Sequence, residues 1–341
     1  MNQIAPVALQ AKDFATDQEV RWCPGCGDYA ILKGVQKALA DIGTPPENVV
    51  FVSGIGCAAR FPYYIASYGF HTIHGRAPAF ATGIKLSNPN LDVWVVSGDG
   101  DALSIGGNHL MHVLRRNVDV NYLIFNNEIY GLTKGQYSPT SRIGTRSPST
   151  PAGSVDSPLS ATLLALGVGA RFVARGIDRG QKELPGILQR AHAHKGASLV
   201  EILQNCIVYN DGVFEGLVAK GQAEDAQIHL KHGEPLLFGK DNARGLRLDP
   251  KRMKLDVVTL GEDGVTLDDI VVHDETNLAL AQLLAAMEQP THPVAVGVIY
   301  CNPADSSYER AVLAQDERER KAAKITSIDQ LLKSGATWQV G

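Results

Sequence analysis

Two short polar motifs, Gly98-Asp99-Gly100-Asp101 and Asn126-Asn127, each follow a short apolar run of the sequence. Asp99 and Asn127 are 28 positions apart, a length that one crossover helix between parallel strands can span. Neighbouring parallel strands end at one edge of a sheet, so a carboxylate and an amide oxygen would converge there. Mg²⁺ prefers such ligands and completes its shell with phosphate and water, and flanking glycines admit phosphate oxygens. Each motif alone is typical of an ordinary turn, but the pair predicts a magnesium ion that bridges a diphosphate.

Four of the five cysteines could hold a metal. Cys23 and Cys26 flank a Pro-Gly turn, and alone they fit a redox dithiol, half of a zinc site or half of a cluster site. Cys57 and Cys206 each follow an apolar run, which places them at the same sheet edge. Four thiolates there could bind tetrahedral zinc or a [4Fe-4S] cluster. Cys301 continues an apolar run and is interpreted as a small buried hydrophobic residue.

The elements that must position these residues alternate between strand and helix. Apolar runs near 48–53, 92–97 and 120–125 are too short for helices and are typical of buried parallel strands. Helical spacing near 77–86 and 103–116 separates them, which predicts an α/β fold with a doubly wound, mostly parallel sheet. Further helices are predicted near 159–166, 181–194 and 277–287, further strands near 171–174, 198–203 and 293–300, and an irregular loop over 133–158.

The chain divides into three predicted parts. They are an N-terminal arm (1–20), a ligand-binding sheet domain (21–208) and a C-terminal extension (209–341) that covers the domain or contacts a partner. The 341 residues carry a formal charge of -4 without a long basic run, so nucleic acid is not an expected partner. The sequence shows no signal peptide or membrane-spanning segment, and we expect a cytoplasmic protein.

Several motifs together resemble the β subunit of 2-oxoacid:ferredoxin oxidoreductases over about residues 20 to 210. They are Trp22 to Asp28, Ile55 to Ala58, His74 to Ala77, Gly98 to Asp101, Arg115 to Asn117, Asn126 to Thr133 and Lys134 to Thr140. The resemblance implies the thiamine diphosphate-binding fold of the diphosphate type, with a C-terminal extension. It also implies thiamine diphosphate, Mg²⁺ and a [4Fe-4S] cluster as cofactors.

The resemblance assigns roles to individual positions. The implied Mg²⁺ ligands are Asp99, Asn127 and the carbonyl of Ile129, and the implied cluster ligands are Cys23, Cys26, Cys57 and Cys206. The implied thiamine diphosphate contacts are Ile55, Gly56, Cys57, Ala58, His74, Gly100, Asp101, Gly131 and Leu132. Lys134 matches a lysine that meets the substrate carboxylate, and a solvated loop lysine is the alternative. His74 and Arg76 fit an anion contact or a capped turn, and His109 and His112 fit a supporting role or helix packing.

The implied reaction is the oxidative decarboxylation of a 2-oxoacid, with coenzyme A as acyl acceptor and ferredoxin as electron acceptor, or its reverse. The Lys134-Gly135-Gln136 variant favours 2-oxoglutarate, while pyruvate or a broad range of 2-oxoacids is the alternative. The pyrimidine half of the thiamine site, with its glutamate, is expected from an α subunit, in an (αβ)₂ assembly. Two rivals remain, namely a cluster-free thiamine decarboxylase or carboligase and a non-catalytic electron-transfer subunit.

Overall fold

An eight-stranded, mostly parallel sheet forms the centre of the protein. The computed structural model describes residues 8–338, 340 and 341, so the first seven residues of the predicted arm lie outside the described part. The strands of the chain are β1 (Val49–Ser53), β2 (Tyr68–His71), β3 (Asp92–Gly98), β4 (Asn121–Asn126), β5 (Ile129–Tyr130), β6 (Gln136–Tyr137), β7 (Phe172–Ile177), β8 (Ser198–Leu203), β9 (Gln227–Leu230), β10 (Leu237–Phe238), β11 (Arg244–Asp249), β12 (Lys254–Thr259) and β13 (Val294–Cys301). The large sheet has the order β2-β1-β3-β4-β8-β7-β13-β9.

The middle strands of this sheet are buried along their whole length. Every residue of β1, β4, β7 and β8 is buried, which explains why they read as continuous apolar runs rather than as an alternating pattern. The order of strands in the sheet changes direction at β1. Strand β2 lies on one side of β1, whereas β3 and then β4 lie on its other side. The carboxyl ends beside this reversal are where ligands bind in doubly wound sheets.

Helices cover both faces of the sheet. They are α1 (Asp28–Ile42), α2 (Ala77–Ser87), α3 (Asp99–Leu103), α4 (Gly107–Arg116), α5 (Ala161–Gly167), α6 (Leu184–Ala193), α7 (Glu215–Val218), α8 (Ala223–Ala226), α9 (Leu278–Ala285), α10 (Tyr308–Ala322) and α11 (Ile328–Leu332). One core lies under α2, α4, α5 and α9 and contains the buried ring of Tyr122. The other lies under α1 and α6 and contains Trp94. This three-layer arrangement confirms the predicted α/β, doubly wound class.

The prediction of one helix over 103–116 is wrong, because the chain forms two separate helices here and the first of them begins before residue 103. Helix α3 begins at Asp99, directly after β3, and ends at Leu103, while α4 begins only at Gly107. The chain turns sharply between the two, and a Cβ on Gly106 would lie 2.3 Å from the carbonyl oxygen of Asp101. A glycine at this turn therefore lets two helical segments pack closer than the apolar pattern alone suggests.

The large sheet continues beyond residue 208. Strands β13 and β9 extend it past β7; β13 runs antiparallel to β7 and parallel to β9. The same segment adds a small antiparallel sheet of β10, β11 and β12, which the sequence pattern did not predict. Residues 209–341 thus supply part of the central sheet, and their role as a cover or a subunit contact stays a prediction.

The two ends of the described chain differ in packing. Phe14, in the predicted N-terminal arm, is fully buried and belongs to the core beneath α1. Helix α11 instead exposes Ile328, Leu331 and Leu332. None of the helices in the described part of the chain combines the length and the apolar character that a membrane crossing requires.

Candidate active site

The ends of β3 and β4 bring the two polar motifs together. The strands pair in parallel with Gly98 opposite Phe125, so that Asp99 and Asn127 follow at the same edge. The backbone N–H of Asn127 donates to the carboxylate of Asp99. The structure therefore brings the two predicted magnesium ligands into contact, as the parallel pairing requires.

The Asp99 carboxylate is almost completely buried, with 1% of the residue exposed. Its Oδ2 accepts hydrogen bonds from Ser138 Oγ at 2.5 Å and from Thr140 Oγ1 at 2.6 Å. Burial nevertheless raises the pKa of Asp99, since these donors offset only part of the lost hydration. A divalent cation beside this carboxylate would favour its charged form, so the donor set fits Mg²⁺.

Both polar atoms of the Asn127 side-chain amide form hydrogen bonds within the protein. Its Nδ2 donates to Gln204 Oε1 at 2.8 Å, and its Oδ1 accepts from the backbone N–H of Ile129 at 3.2 Å. This local turn directs the chain into β5, which pairs with β6 and places Ile129 opposite Tyr137. The amide oxygen keeps a second lone pair, and with the Ile129 carbonyl it fits the predicted magnesium shell.

Asp101 ties the predicted thiamine-lining segments to one another. Its Oδ1 accepts from the backbone N–H groups of Ile55 at 3.1 Å and Gly75 at 2.7 Å, and lies 2.5 Å from His74 Nδ1. Its Oδ2 accepts from Ser97 Oγ at 2.8 Å. These four interactions use the carboxylate within the protein. Asp101 therefore fixes three loops relative to one another, a role that the sequence pattern did not suggest.

Gly100 and Tyr130 form a close contact beside these loops. A Cβ on Gly100 would lie 2.2 Å from the Tyr130 ring, and Tyr130 Oη donates to the Gly100 carbonyl at 2.9 Å. The predicted contacts that follow, Gly131 and Leu132, lie on the loop between β5 and β6, where Leu132 is 51% exposed. Glycine is thus required at position 100 by packing against an aromatic ring.

The four predicted cluster cysteines lie on three loops at the same sheet edge. Cys23 and Cys26 precede α1, Cys57 directly precedes a 3-10 helix (Ala58–Tyr63) and Cys206 follows β8. A Cβ on Gly131 would lie 3.5 Å from Cys57 Sγ and 3.6 Å from Cys206 Sγ, so both sulfur atoms border the predicted thiamine segment. Within residues 8–338, 340 and 341, however, no three His, Cys, Asp or Glu side chains are close enough to hold a metal ion.

Burial disfavours the charged thiolate form of the cysteines in this region. It raises the pKa of Cys57 to about 12, and the neighbouring Asp28 carboxylate and Cys206 act in the same direction. Burial also raises the pKa of Cys26. Asp28 itself is 1% exposed, has no hydrogen-bond partner among the described residues for either carboxylate oxygen, and has its pKa raised by burial to about 7. A positively charged metal group would relieve this accumulation of acidic groups.

Gln204 joins the cysteines to the magnesium ligands, and sequence reasoning missed it. Its Nε2 donates to Cys26 Sγ at 3.3 Å, while its Oε1 accepts from Asn127. Trp22 was singled out only as part of a motif; its Nε1 donates to the Cys57 carbonyl at 2.7 Å. The missed donors Ser138 and Thr140 lie in the loop predicted over 133–158, where a Ser- and Thr-rich composition was the available signal.

Three further predicted residues, Lys134, Arg76 and Cys301, occupy different places in the structure. Lys134 is exposed and has a positive φ of 74°, so its side chain is free to reach a ligand in solvent, and its predicted role stays a prediction. Arg76 contacts His109, and burial and this charge lower the pKa of His109. Cys301 lies opposite Phe172, the first residue of β7, and thus at the other edge of the sheet from the four cysteines.

Comparison with known proteins places this geometry in a family. Residues 54–202 match the family described as "Thiamine pyrophosphate enzyme, C-terminal TPP binding domain". The range begins at the turn after β1 and ends in β8, so it includes the loops that Asp101 fastens and the ends of β3 and β4. The matched family supports thiamine diphosphate as the ligand of this sheet edge.

Relatives match over different lengths. The 2-oxoglutarate oxidoreductase subunit KorB of Mycobacterium tuberculosis is 48% identical over 97% of this chain and 88% of its own length. A 2-oxoacid:ferredoxin oxidoreductase subunit beta of Saccharolobus solfataricus is 47% identical over 56% of this chain and 63% of its own length. The archaeal similarity thus covers about half of this chain, whereas the mycobacterial similarity covers nearly all of it.

A solved structure extends the likeness to the whole described fold. The 2-oxoglutarate:ferredoxin oxidoreductase from Magnetococcus marinus, with 2-oxoglutarate, coenzyme A and succinyl-CoA bound, has a TM-score of 0.75 and 31% identity. The likeness covers 96% of this chain and 95% of that chain. On the strength of the near full-length mycobacterial match, this chain belongs to the family of 2-oxoacid:ferredoxin oxidoreductase β subunits.

Proposed function

We propose that this chain is the β subunit of a 2-oxoglutarate:ferredoxin oxidoreductase. The enzyme would convert 2-oxoglutarate and coenzyme A to succinyl-CoA and carbon dioxide while two electrons pass to ferredoxin, or run the reverse carboxylation. The observation that carries the proposal is the near full-length match to the mycobacterial 2-oxoglutarate oxidoreductase subunit. The Magnetococcus marinus structure, whose bound molecules are 2-oxoglutarate, coenzyme A and succinyl-CoA, supports the same substrates.

Asp99, Asn127 and the Ile129 carbonyl would hold Mg²⁺ and through it the diphosphate of the cofactor. Thiamine diphosphate, when bound, supplies the electron sink that 2-oxoacid decarboxylation requires. The protein positions this group in advance, because Ser138 and Thr140 orient Asp99 and Gln204 orients Asn127. Such fixed ligands need little rearrangement when the metal binds.

Asp101 would keep the rest of the pocket in place. Its carboxylate fastens the Ile55 loop and the Gly75 turn to the end of β3. It also holds His74 by Nδ1, which leaves Nε2 as the ring nitrogen available to a ligand.

Cys23, Cys26, Cys57 and Cys206 would bind a [4Fe-4S] cluster next to Gly131. Such a cluster transfers electrons one at a time. The proposal is supported by the convergence of three cysteine-bearing loops and by burial that raises the thiol pKa values, which a bound metal would reverse. The Gln204 amide, which donates to Cys26, would bias the cluster toward its more negative, reduced state.

The partners would be an α subunit and ferredoxin. Relatives are named as subunits of larger enzymes, so this chain acts within a multi-subunit enzyme. We propose that an α subunit supplies the pyrimidine-binding half of the site and the glutamate that activates thiamine, in an (αβ)₂ assembly. Exposed side chains around the site, including Leu132, are consistent with a surface that another subunit covers.

Anaerobic purification of the chain co-expressed with its α subunit tests the proposal. Iron and acid-labile sulfide analysis should find about four of each per β subunit. The complex should reduce a viologen dye with 2-oxoglutarate only when coenzyme A is present, and pyruvate should be the matched poor substrate. A colourless, iron-free complex that still decarboxylates 2-oxoacids would instead establish a cluster-free thiamine enzyme.

A further inference from the structure

A buried ion pair joins the two strands that lie beyond β4 in the large sheet. Arg175 of β7 and Glu201 of β8 are opposite each other in the parallel pairing of these strands, and Arg175 Nε donates to Glu201 Oε2 at 2.7 Å. Arg175 is 7% exposed and Glu201 is 3% exposed. Burial of two charges costs hydration free energy, and well-packed apolar residues in their place are often at least as stabilising. Stability alone therefore does not account for this pair.

The ion pair contacts the first residue of the Asn126-Asn127 motif. Glu201 Oε1 accepts a hydrogen bond from Asn126 Nδ2 at 2.8 Å, while Arg175 occupies the other carboxylate oxygen. An ionised carboxylate only accepts hydrogen bonds, so it binds the NH₂ end of the Asn126 amide and directs Oδ1 away from itself. The pair thus selects one of the two orientations that are open to this amide.

Asn126 in this orientation supports the turn that carries two of the predicted magnesium ligands. Its Oδ1 accepts from the backbone N–H of Glu128 at 3.2 Å, and Glu128 lies between Asn127 and Ile129. Glu128 has a φ of 55°, a left-handed conformation that is unfavourable for a residue with a Cβ atom. The hydrogen bond from Asn126 therefore helps to hold the turn in a conformation that the backbone alone would not favour.

The same amide oxygen contacts the hydroxyl group that serves the third ligand. Thr140 Oγ1 lies 2.9 Å from Asn126 Oδ1 and 2.6 Å from Asp99 Oδ2, so two acceptors share its single proton. A reversed Asn126 amide would direct its NH₂ group at the N–H of Glu128, and two donors would then face each other. The turn and the hydroxyl contact of Asp99 both depend on the orientation that Glu201 selects.

We propose that Arg175 and Glu201 are positioning residues of the magnesium site. By orienting Asn126, they fix the turn that carries two of the proposed ligands and the hydroxyl that contacts the third. The inference rests on the proposed function, in which these ligands hold Mg²⁺ and through it the diphosphate of thiamine diphosphate. The buried pair then serves the affinity of the site for its metal, and the free energy of unfolding does not depend on it.

Two double variants test this role, because removal of one partner alone would leave a buried charge unpaired and destabilise the fold. Arg175→Leu with Glu201→Leu removes both the pair and the acceptor of Asn126. Arg175→Gln with Glu201→Gln keeps that acceptor. The glutamine oxygen at position 175 takes the place of Nε and accepts from the amide at position 201, whose own oxygen still faces Asn126. A cavity of about 360 Å³ borders both positions and admits water beside the leucines, but water both donates and accepts, so it selects no orientation.

Isothermal titration measures binding of thiamine diphosphate, at a fixed Mg²⁺ concentration, to αβ complex prepared without the cofactor. The leucine double variant should raise the dissociation constant by about tenfold, and the glutamine double variant by less than about threefold. More Mg²⁺ should recover part of the loss, because mass action offsets weak binding of the metal. The thermal transition of the cofactor-free complex should not fall in the leucine double variant. Arg190→Leu with Glu275→Leu removes another ion pair of 2.7 Å, near the opposite sheet edge, and should leave the affinity unchanged.

Three results would overturn the inference. The leucine double variant could lower the thermal transition and keep the wild-type affinity, which would make the pair purely structural. Both double variants could lose the same affinity, although only one of them lacks the acceptor for Asn126. The loss could also stay constant at every Mg²⁺ concentration, which would exclude an effect on the metal. Failure of the proposed function shows in the wild-type complex itself, which would then not turn over 2-oxoglutarate, whatever the double variants bind.

Discussion

The sheet edge has two parts, a magnesium corner around Asp99 and Asn127 and a cysteine corner around Cys23, Cys26, Cys57 and Cys206. The two corners differ in how their buried acidic groups are stabilised. Around Asp99, the protein itself supplies hydroxyl and backbone donors to the carboxylate. Around Cys26 and Cys57, burial raises the thiol pKa values and Asp28 has no partner for its oxygens among the described residues. The carboxylate of the first corner is therefore stabilised by the protein itself, whereas the proposed cluster would relieve the buried acidic groups of the second.

The largest effect should follow removal of a cysteine. Cys57→Ser should abolish dye reduction and lower iron content by more than about half, because a cluster site that lacks one thiolate binds weakly. It should also lower the thermal stability of the anaerobic complex. Cys301→Ser, at the opposite sheet edge, is the matched control and should retain iron and activity. Equal iron in both variants would show that Cys57 is not a ligand.

Asp99→Asn should weaken binding of the cofactor much more than it affects folding. It removes the anionic magnesium ligand, so the dissociation constant for thiamine diphosphate measured by calorimetry with Mg²⁺ should rise by at least about a hundredfold. The unfolding free energy of the cofactor-free protein should fall only slightly, since the amide avoids burying a charge although its Nδ2 cannot accept from the surrounding donors. A strongly destabilised apoprotein would contradict the view that this corner is organised for a metal.

Gln204→Leu should weaken the link between the two corners. Loss of its contact with Asn127 should raise the thiamine diphosphate dissociation constant by about tenfold. Loss of the N–H donor to Cys26 should lower the cluster reduction potential, because such donors stabilise the reduced state. Potentiometric titration followed by electron paramagnetic resonance measures the second effect. A change in affinity without a change in potential would show that Gln204 serves the magnesium corner alone.

The smallest effect concerns a buried ionisable group outside the site. His194 is 5% exposed, its ring nitrogens have no partner among the described residues, and burial lowers its pKa to about 4. Between pH 6.5 and 4 the unfolded chain therefore binds more protons, so this residue makes stability fall as pH falls. His194→Phe should reduce the loss between pH 6.5 and 4.5 by about 1 to 2 kcal/mol. Denaturant titrations at both pH values measure it, and identical losses would contradict the assignment.

Sequence periodicity predicted the parts of the fold in which local pattern and burial coincide. The wholly buried strands β1, β4 and β8, and β3 with only its two end residues partly exposed, were found because parallel strands read as continuous apolar runs. Strand β2 carries no apolar run, because all four of its residues are exposed, so periodicity does not give its bounds. The antiparallel β10 to β12 were missed because only a few of their positions, such as Leu246 and Leu255, are buried among exposed or half-exposed neighbours, so no apolar run forms.

The positions of site residues could be predicted where those residues directly follow a strand. They could not be predicted where the contact depends on the path of a long loop. Asp99 and Asn127 could be paired from their spacing and from their positions directly after two apolar runs. Ser138 and Thr140 could not, because their approach to Asp99 depends on the path of an irregular loop. Asp101 lies among the predicted thiamine-lining segments, yet four contacts from three separate segments define its side-chain role, and no linear pattern encodes them.

Strand β13 has a consequence for synthesis of the chain. It pairs with β7 although more than a hundred residues separate them in sequence. While the ribosome makes the intervening segment, the backbone edge of β7 is unpaired and able to bind other strands. Completion of the sheet must wait until residue 301 of the 341 has been made. Nascent chains of this enzyme should therefore depend on chaperones late in translation, whichever cofactors are available.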